Sequence, residues 1–537
     1  MKWLRALKQT VRGRNAMCLP EILHQRLAER SFSAIQPEVQ RLLSANPHAP
    51  EFDQLRTEVK RYDWPASQIE KLEAYADYYR GAIGGAFMRA SRYCSVTDGA
   101  QFDADLFILA TLCLFHNNQY EEAYLWLSTI GDNESQMARR IDYHNIKSSI
   151  CLACGRLEEA RVSIDQARRL DPDDPLSAFN AYALYFELGD LQQFEQLRAE
   201  IAAGRYGSDG NALERATCEL ALDRYTEGFR LLERRYDQAD AVYYCNPALP
   251  KDRRWRAQGL DLPTDETLLI TCEQGFGDSI MMARYLPLLR ERLKDRLVME
   301  VQPEALTLLQ HNFPAIPMVP REHGHLPLLA FNRWTGSMSL PYLFGSEPGR
   351  IPGTAGYISV PPDSRDYWAR RVHEQVAADR PRIGLAWSGN LNHRSDRRRS
   401  IPFTLIRDHL DGWSAHCFFA LQTVVPTPCP PALIDVSDEL ITLADTAALI
   451  AEMDLIITVD TSIVHLAGAL GCPTWLLLPY RYEWRWGLEG EKNNWYDTVR
   501  ILRQETHGDW DGLLKDVLGP RLFEFNNTTP ILRTMPS

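Results

Sequence analysis

Two hydrophobic periods divide the chain. From residue 21 to about 250, apolar residues recur at helical spacing in a background rich in Ala, Leu, Glu, Arg and Gln, with few alternating stretches. From Thr267 the pattern changes to short β-rich runs separated by helical stretches. These runs are Leu268–Cys272, Leu297–Val301, Ile383–Trp387, Cys417–Leu421, Leu455–Val459, Thr474–Leu478 and Val499–Leu502. Strands alternating with helices predict parallel sheets of the doubly wound type. The runs form two blocks, roughly Thr267–Val360 and Pro381–Gln504, and the stretch PPDSRDYWARRVHEQVAADRP between them reads as linker plus helix. Two such units in tandem imply a cleft, with ligands at the carboxyl ends of the strands.

Within the helical half, short polar turns align. NQYEEA begins at Asn118, GRLEEA at Gly155, GDLQQF at Gly189 and DRYTEG at Asp223, in steps of 37, 34 and 34 residues. An apolar helix precedes each turn (Phe107–Phe115, Ile146–Leu152, Ala178–Leu188, Leu213–Leu222) and another follows. DPDDP at Asp171–Pro175 is an inter-repeat break, with Asp as cap and Pro opening the next helix. A helix–turn–helix period of this length resembles the tetratricopeptide repeat. Such pairs stack because none can bury its apolar face alone, and the stack leaves a concave surface. That surface would hold a peptide or partner; a packing spacer or a dimerisation arm is the alternative. Helical sequence at Ser67–Tyr93 is expected to cap the array. No chemistry is read in this half.

Size and composition narrow the field. A chain of 537 residues exceeds one ordinary domain, and 45% apolar with 24% charged residues is the balance of a water-soluble globular protein. The longest apolar runs, such as Thr474–Pro479, fall far short of the ~20 residues needed to span a bilayer. Lys plus Arg is 59 against 71 for Asp plus Glu, a net charge of −12 that argues against bulk nucleic-acid binding and leaves room for a local phosphate site. The 11 cysteines are scattered from Cys18 to Cys472, which suits reduced thiols. Cys151 and Cys154 form a C-x-x-C without a second pair, inside a helical pattern, and read as core thiols. The basic start, MKWLRALKQTVRGR, lacks a following apolar segment or cleavage site and reads as a solvated end, with an amphipathic helix touching a surface as the alternative.

Polar residues cluster at the predicted strand ends. After the first strand comes EQGFGDSI, Glu273–Ile280, where Gly275 and Gly277 allow a tight turn and close approach to a ligand. Asp278 at the helix entrance is either an N-cap or a catalytic carboxylate. The second block opens with Ile383–Pro402, in which Trp387, Ser388, Gly389 and Asn390 end a strand. The basic run His393, Arg394, Arg397, Arg398 and Arg399 follows, with Ser400 behind it. Arginine forks and hydroxyls suit phosphate oxygens; a solvated charge run is the alternative. Gln422, just past the Cys417–Leu421 run, is grouped with these residues. In Asp454–Pro479 a buried strand runs into Asp460, Thr461 and Ser462, then a helix carrying His465. Hydroxyls and N–H groups at a helix start form an anion site. His465, one turn in, is expected to face the same cleft. The aromatic run Tyr480–Trp486 either stacks on a base or sugar or packs over the cleft.

DTSIVHLAGALGCP resembles the signature of heptosyltransferase-like (family 9) GT-B glycosyltransferases, and GFGDSI resembles that family's first-strand loop. The chain is still more similar to bacterial proteins that fuse tetratricopeptide repeats to such a domain, through EQGFGD, ARYLPLL, GLAWSGN, the segment Asp396–Pro402, DTAALI and WYDTVRILRQ. The match is ordered and runs from about Asn118 to Gln504. The resemblance implies a helical cap (1–100), tetratricopeptide-like repeats (101–258), a first GT-B half (259–362), a second half (363–520) and a tail (521–537). It implies Asp278 as general base. It implies a nucleotide-sugar site drawn from Gly277, Trp387, Ser388, Asn390, Arg397, Arg399, Ser400, Gln422, Asp460, Thr461, Ser462 and His465. No D-x-D-type acidic site accompanies the loops, so neither metal nor cofactor is expected. The first half is short beside an ordinary heptosyltransferase half, which points to an acceptor presented by the repeats.

The expected activity is inverting sugar transfer in the cytoplasm, peripheral to the inner membrane at most. The expected acceptor is a protein such as a bacterial surface or flagellar protein. Transfer to lipopolysaccharide or another glycan, and a nucleotide-binding adaptor without catalysis, are the alternatives. Pairing into a homodimer through a terminal helix is open to repeat arrays.

Overall fold

The left-handed backbone at the start of each aligned turn shows why the repeat is readable. Asn118, Gly155, Gly189 and Asp223 have φ of 59, 73, 68 and 59°, a region that Gly adopts freely and that Asn and Asp tolerate. Each closes one helix and swings the chain into the next. The computed structural model describes residues 27–29, 31–45, 50–92, 94, 102–131, 134–206, 212–237, 246–256, 261–322, 324–353, 356–376, 380–390, 396–480 and 483–528. The basic N-terminus, His393, Arg394 and the last nine residues lie outside these. The chain divides into two compact units, Met1–Gly210 and Asn211–Ser537.

The first unit is helical. Phe32–Ala45, Pro50–Arg61, Ala66–Tyr79 and Ile83–Ser91 precede three antiparallel pairs: Ala104–His116 with Tyr120–Ser128, Ile141–Ala153 with Leu157–Leu170, and Pro175–Glu187 with Leu191–Ala202. Asp174 caps its helix, its carboxylate accepting from the Ser177 N–H at 2.8 Å, and Pro175 occupies the first turn. One apolar core runs from Leu27 to Ile150. Cys151 is buried in the array as a free thiol, and burial pushes it up to about 11.

The second unit opens with the fourth helical pair, Ala212–Ala221 and Tyr225–Leu232. Gly228 is the close-packing point of this pair, since a Cβ there would lie 2.6 Å from Leu220 Cγ. Thus the division into compact units falls one helical pair before the end of the repeats.

Two parallel sheets follow. The first holds β1 (Leu268–Thr271), β2 (Leu297–Val301), β3 (Met318–Pro320) and β4 (Arg333–Gly336) in the order β3-β2-β1-β4. The second holds β5 (Arg382–Ala386), β6 (Cys417–Ala420), β7 (Leu433–Ile434), β8 (Leu455–Val459), β9 (Thr474–Leu478) and β10 (Val499–Arg503). Their order is β10-β9-β8-β5-β6-β7. The direction of winding reverses between β1 and β4 in one sheet and between β5 and β8 in the other. Each reversal opens a crevice at the carboxyl ends of those strands.

All seven strands read from the sequence are present. The three that the pattern misses, β3, β4 and β7, all border a sheet edge. An edge strand needs no continuous apolar run, and Arg333–Gly336 has none. The helix of the linker is Pro362–Gln375, anchored by the fully buried Trp368 and Val372.

Candidate active site

The loop after β1 turns sharply at Gln274, whose φ is 56°. Gly275 has an ordinary φ of −88°, so the tight turn expected of the glycines is made by their neighbour. The Phe276–Ala283 helix then begins, and Asp278 sits in its first turn. Asp278 Oδ2 accepts from the Gly275 N–H at 3.1 Å. The N-cap is therefore Gly275 and not Asp278, which reaches back from the third helical position in the manner of a capping box and uses one carboxylate oxygen to do so.

Gly277 has a separate task. A Cβ on it would fall 2.6 Å from His465 Cδ2 and 3.3 Å from Ser462 Cα. The glycine lets the first-sheet helix press directly on the Ser462–Leu470 helix that follows β8. This contact brings the two sheets' loops together, and only hydrogen fits at its centre.

On the second sheet, Thr461 caps the Ser462–Leu470 helix, accepting from the Ile463 N–H at 3.3 Å. Thr461 and Ser462 stay partly open, whereas Asp460 is nearly buried. The Asp460 carbonyl accepts from Arg399 Nη1 at 2.9 Å. Ser400 Oγ donates to Asp396 Oδ2 (3.0 Å) and accepts from the Gly389 N–H (3.1 Å). These bonds fold the basic segment back over the end of β5. Arg399 thereby reaches the residue that follows β8, and the side chain of Arg397 lies outside the described residues.

Gln422 ties the ends of β5 and β6. Its Oε1 accepts from the N–H groups of Trp387 (3.1 Å) and Ser388 (3.2 Å), and its Nε2 donates to Ser388 Oγ at 3.0 Å. Asn390 is exposed beyond them. The Trp387 ring lies in the core against Phe403, with centroids 4.9 Å apart. Its indole supports the strand end from below, and only its backbone reaches the crevice.

His465 also departs from expectation. It does not face open cleft: it is buried between Gly277 and Trp486, whose ring stacks on it at 5.4 Å, with Tyr496 Oη 2.9 Å from its Nδ1. Burial, reinforced by Arg485, Arg284 and Arg399, holds its pKa well below the usual histidine range, so it is neutral at physiological pH. Burial raises the Asp460 carboxyl, against the pull of Arg485, Arg399 and the Trp486 indole.

Arg485, in the turn Trp484–Trp486 after β9, completes the cluster. It donates to Asp278 Oδ1 across the two sheets and to Glu483 Oε2 at 2.5 Å. Of the aromatic run, Trp484 and Trp486 are packing residues, while Tyr480 stays exposed. Trp484 meets Phe229 and Trp495 edge-on, and Tyr225 stacks on Trp495. Motif reading passed over Arg485 because its partner lies 207 residues away. An arginine between two tryptophans was the available signal.

Two further buried cations were also missed. Arg284 donates to the Trp495 carbonyl (2.8 Å) and lies over Tyr496, joining the first-sheet helix segment to the second sheet. Arg235, fully buried, makes two bonds to Glu273 (3.0 and 2.9 Å) at the carboxyl end of β1, and Ser339 after β4 accepts a third at 2.7 Å. Gly336 leaves room for this pair, since a Cβ there would sit 2.0 Å from Glu273 Oε2.

The assembled site thus has a partly exposed carboxylate from the first sheet facing a capped helix start and a guanidinium of the second. Such a site can take a proton from a hydroxyl and hold an anion beside it.

Two family models match parts of the chain. Residues 440–487, which span β8, the His465 helix and β9, match glycosyltransferase family 9 (heptosyltransferase). Residues 80–167 match the helical-repeat family described as anaphase-promoting complex, cyclosome, subunit 3. Protein FlbA of Caulobacter vibrioides is 26% identical over 382 residues, covering 65% of this chain and 62% of its own length. The chain therefore spans under two thirds of that relative.

Among solved structures, the Escherichia coli ADP-heptose lipopolysaccharide heptosyltransferase II aligns at TM-score 0.34 and 15% identity over 49% of this chain and 97% of its own. An O-GlcNAc transferase variant of Thermobaculum terrenum aligns at 0.30 and 13% over 84% and 91%. Neither likeness bears on the site. The chain couples tetratricopeptide-like helical repeats to a GT-B-like α/β region that carries the sequence pattern of glycosyltransferase family 9.

Proposed function

We propose that this chain is an inverting glycosyltransferase, taking a sugar from a nucleotide-sugar donor and placing it on a hydroxyl of a polypeptide acceptor bound by the repeats. The observation that carries the reading is the close approach of the Asp278 helix, at the end of β1, to the helix start after β8, where Arg399 bonds the Asp460 carbonyl. The donor's phosphates lie by Thr461, Ser462 and Arg399, with Ser388, Asn390 and Ser400 at the neighbouring strand end. Asp278 takes the proton of the acceptor hydroxyl as its oxygen bonds to the anomeric carbon from the opposite face. The bond from that carbon to the phosphate oxygen breaks, and its electron pair leaves with the nucleotide. Fixed N–H groups and a guanidinium beside that oxygen stabilise charge that grows in the transition state. His465, being neutral and buried, supports the first turn of the helix and the approach of Gly277. The reading sets the chain in the cytoplasm, and among the described residues no helix is long and apolar enough to cross a membrane.

The test is a binding screen against ADP, UDP, GDP, CMP and their sugar conjugates, followed by Asp278→Asn. One nucleotide series should bind. The variant should keep that affinity while turnover falls by about 10²–10⁴-fold. Undiminished turnover in Asp278→Asn would sink the assignment.

A further inference from the structure

We propose that Arg485 is the positioning residue of Asp278, a role that rests on reading Asp278 as the base. Three features of the geometry carry it.

The first is direction. Asp278 Oδ2 is held by the Gly275 N–H and Oδ1 by Arg485, so the carboxylate plane is fixed from both sides. Each carboxylate oxygen has two acceptor sites, so one on each oxygen remains for an incoming hydroxyl. The Asp278 side chain is 14% exposed, enough to be reached.

The second is rigidity. The Arg485 side chain is 9% exposed, and the residues on either side of it, Trp484 and Trp486, are buried against Phe229, Trp495 and His465. A guanidinium set in such packing can hold its partner within a narrow range of positions.

The third is charge. Arg485 faces the carboxylates of Asp278 and Glu483 directly and bears on that of Asp460, while Arg399 is the other cation near Asp460. One guanidinium thus serves two carboxyls directly, an arrangement that a proton taken up by the group relieves. Arg485 holds the Asp278 and Glu483 carboxyls together as a proton arrives from the acceptor hydroxyl.

The experiment follows nucleotide release from a panel of ADP-, UDP-, GDP- and CMP-linked sugars by the full chain, with water taking the sugar in place of the acceptor hydroxyl. It compares Arg485→Met, Arg485→Lys, Asp278→Asn and the Asp278→Asn/Arg485→Met double variant. Arg485→Met should lower kcat by about 10- to 100-fold with donor affinity retained. Arg485→Lys, which restores the charge without the fork, should recover part of the loss. The double variant should be no slower than Asp278→Asn alone, because a residue that acts through Asp278 has nothing left to act on. If Arg485→Met does not fold, the charge-balanced Arg485→Gln/Glu483→Gln pair replaces it in both the single and the Asp278→Asn backgrounds. Wild-type turnover in the Arg485 variant, or a double variant well below Asp278→Asn, overturns the proposal. An active Asp278→Asn defeats the base reading itself, and no release from any donor by the wild type defeats the transfer reading.

Discussion

His465 illustrates how burial changes what a side chain can do. With its pKa held well below the usual 6.5, it stays neutral in the folded chain. Below about pH 6.5 the unfolded chain binds a proton at this position that the folded chain does not. Its contribution to stability is therefore complete above that pH and is lost as the pH falls. Asp460 runs the other way: its raised carboxyl keeps a proton that the unfolded state has already released, so its contribution declines as the pH rises from about 4. Comparing His465→Gln with the wild type isolates the histidine. Between pH 7 and 5 the wild type should lose up to about 1.4 kcal/mol per pH unit more than the variant, read from urea unfolding at each pH. Parallel slopes for the two proteins would show that His465 is protonated in the fold.

At the level of elements, the turn Glu233–Asp237 is what binds the last helical pair to the first sheet. Arg235 projects from it into the crevice between β1 and β4, where Glu273 receives its fork, the Tyr236 hydroxyl at 2.5 Å and the Met338 N–H at 2.9 Å. Removing only the cation strands a buried carboxylate. Arg235→Met should cost about 3–5 kcal/mol, visible as an early transition in denaturant. Adding Glu273→Gln should return part of that loss, since neither charge is then left alone. If the double variant is no more stable than the single one, the pair does not act as a unit.

For the whole molecule, the division at Gly210 and Asn211 sets where the chain can be cut. A fragment 211–537 retains Arg235, Tyr225 and Phe229, and with them the partners of Glu273 and Trp495. It should fold with one cooperative transition. A fragment beginning at residue 259, where the resemblance sets the start of the first GT-B half, exposes those surfaces and leaves Glu273 unpaired. It should be insoluble or lack a cooperative melt. Circular dichroism and calorimetry of the two fragments decide this, and equal cooperativity would show that the last helical pair is dispensable.

Local pattern by itself determined the helical repeats, their turns, seven of the ten strands among the described residues and the loops where polar residues gather. These rest on periodicity and on residues such as Asn118 and Gly155 that tolerate a left-handed turn, all properties of neighbours in sequence. It also marked Asp278 and the Asp460–His465 segment, because strand ends in doubly wound sheets are where ligands bind. Three of the four edge strands, β3, β4 and β7, stayed hidden, being short or without a continuous apolar run, whereas β10 was legible. What Gly277, His465, Trp387 and Arg485 do was settled only by the tertiary structure. Gly277 is shaped by a helix almost two hundred residues later, and Arg485 finds Asp278 across two sheets. An ion pair or a close contact of that kind depends on which surfaces meet, and no window along the chain contains both partners.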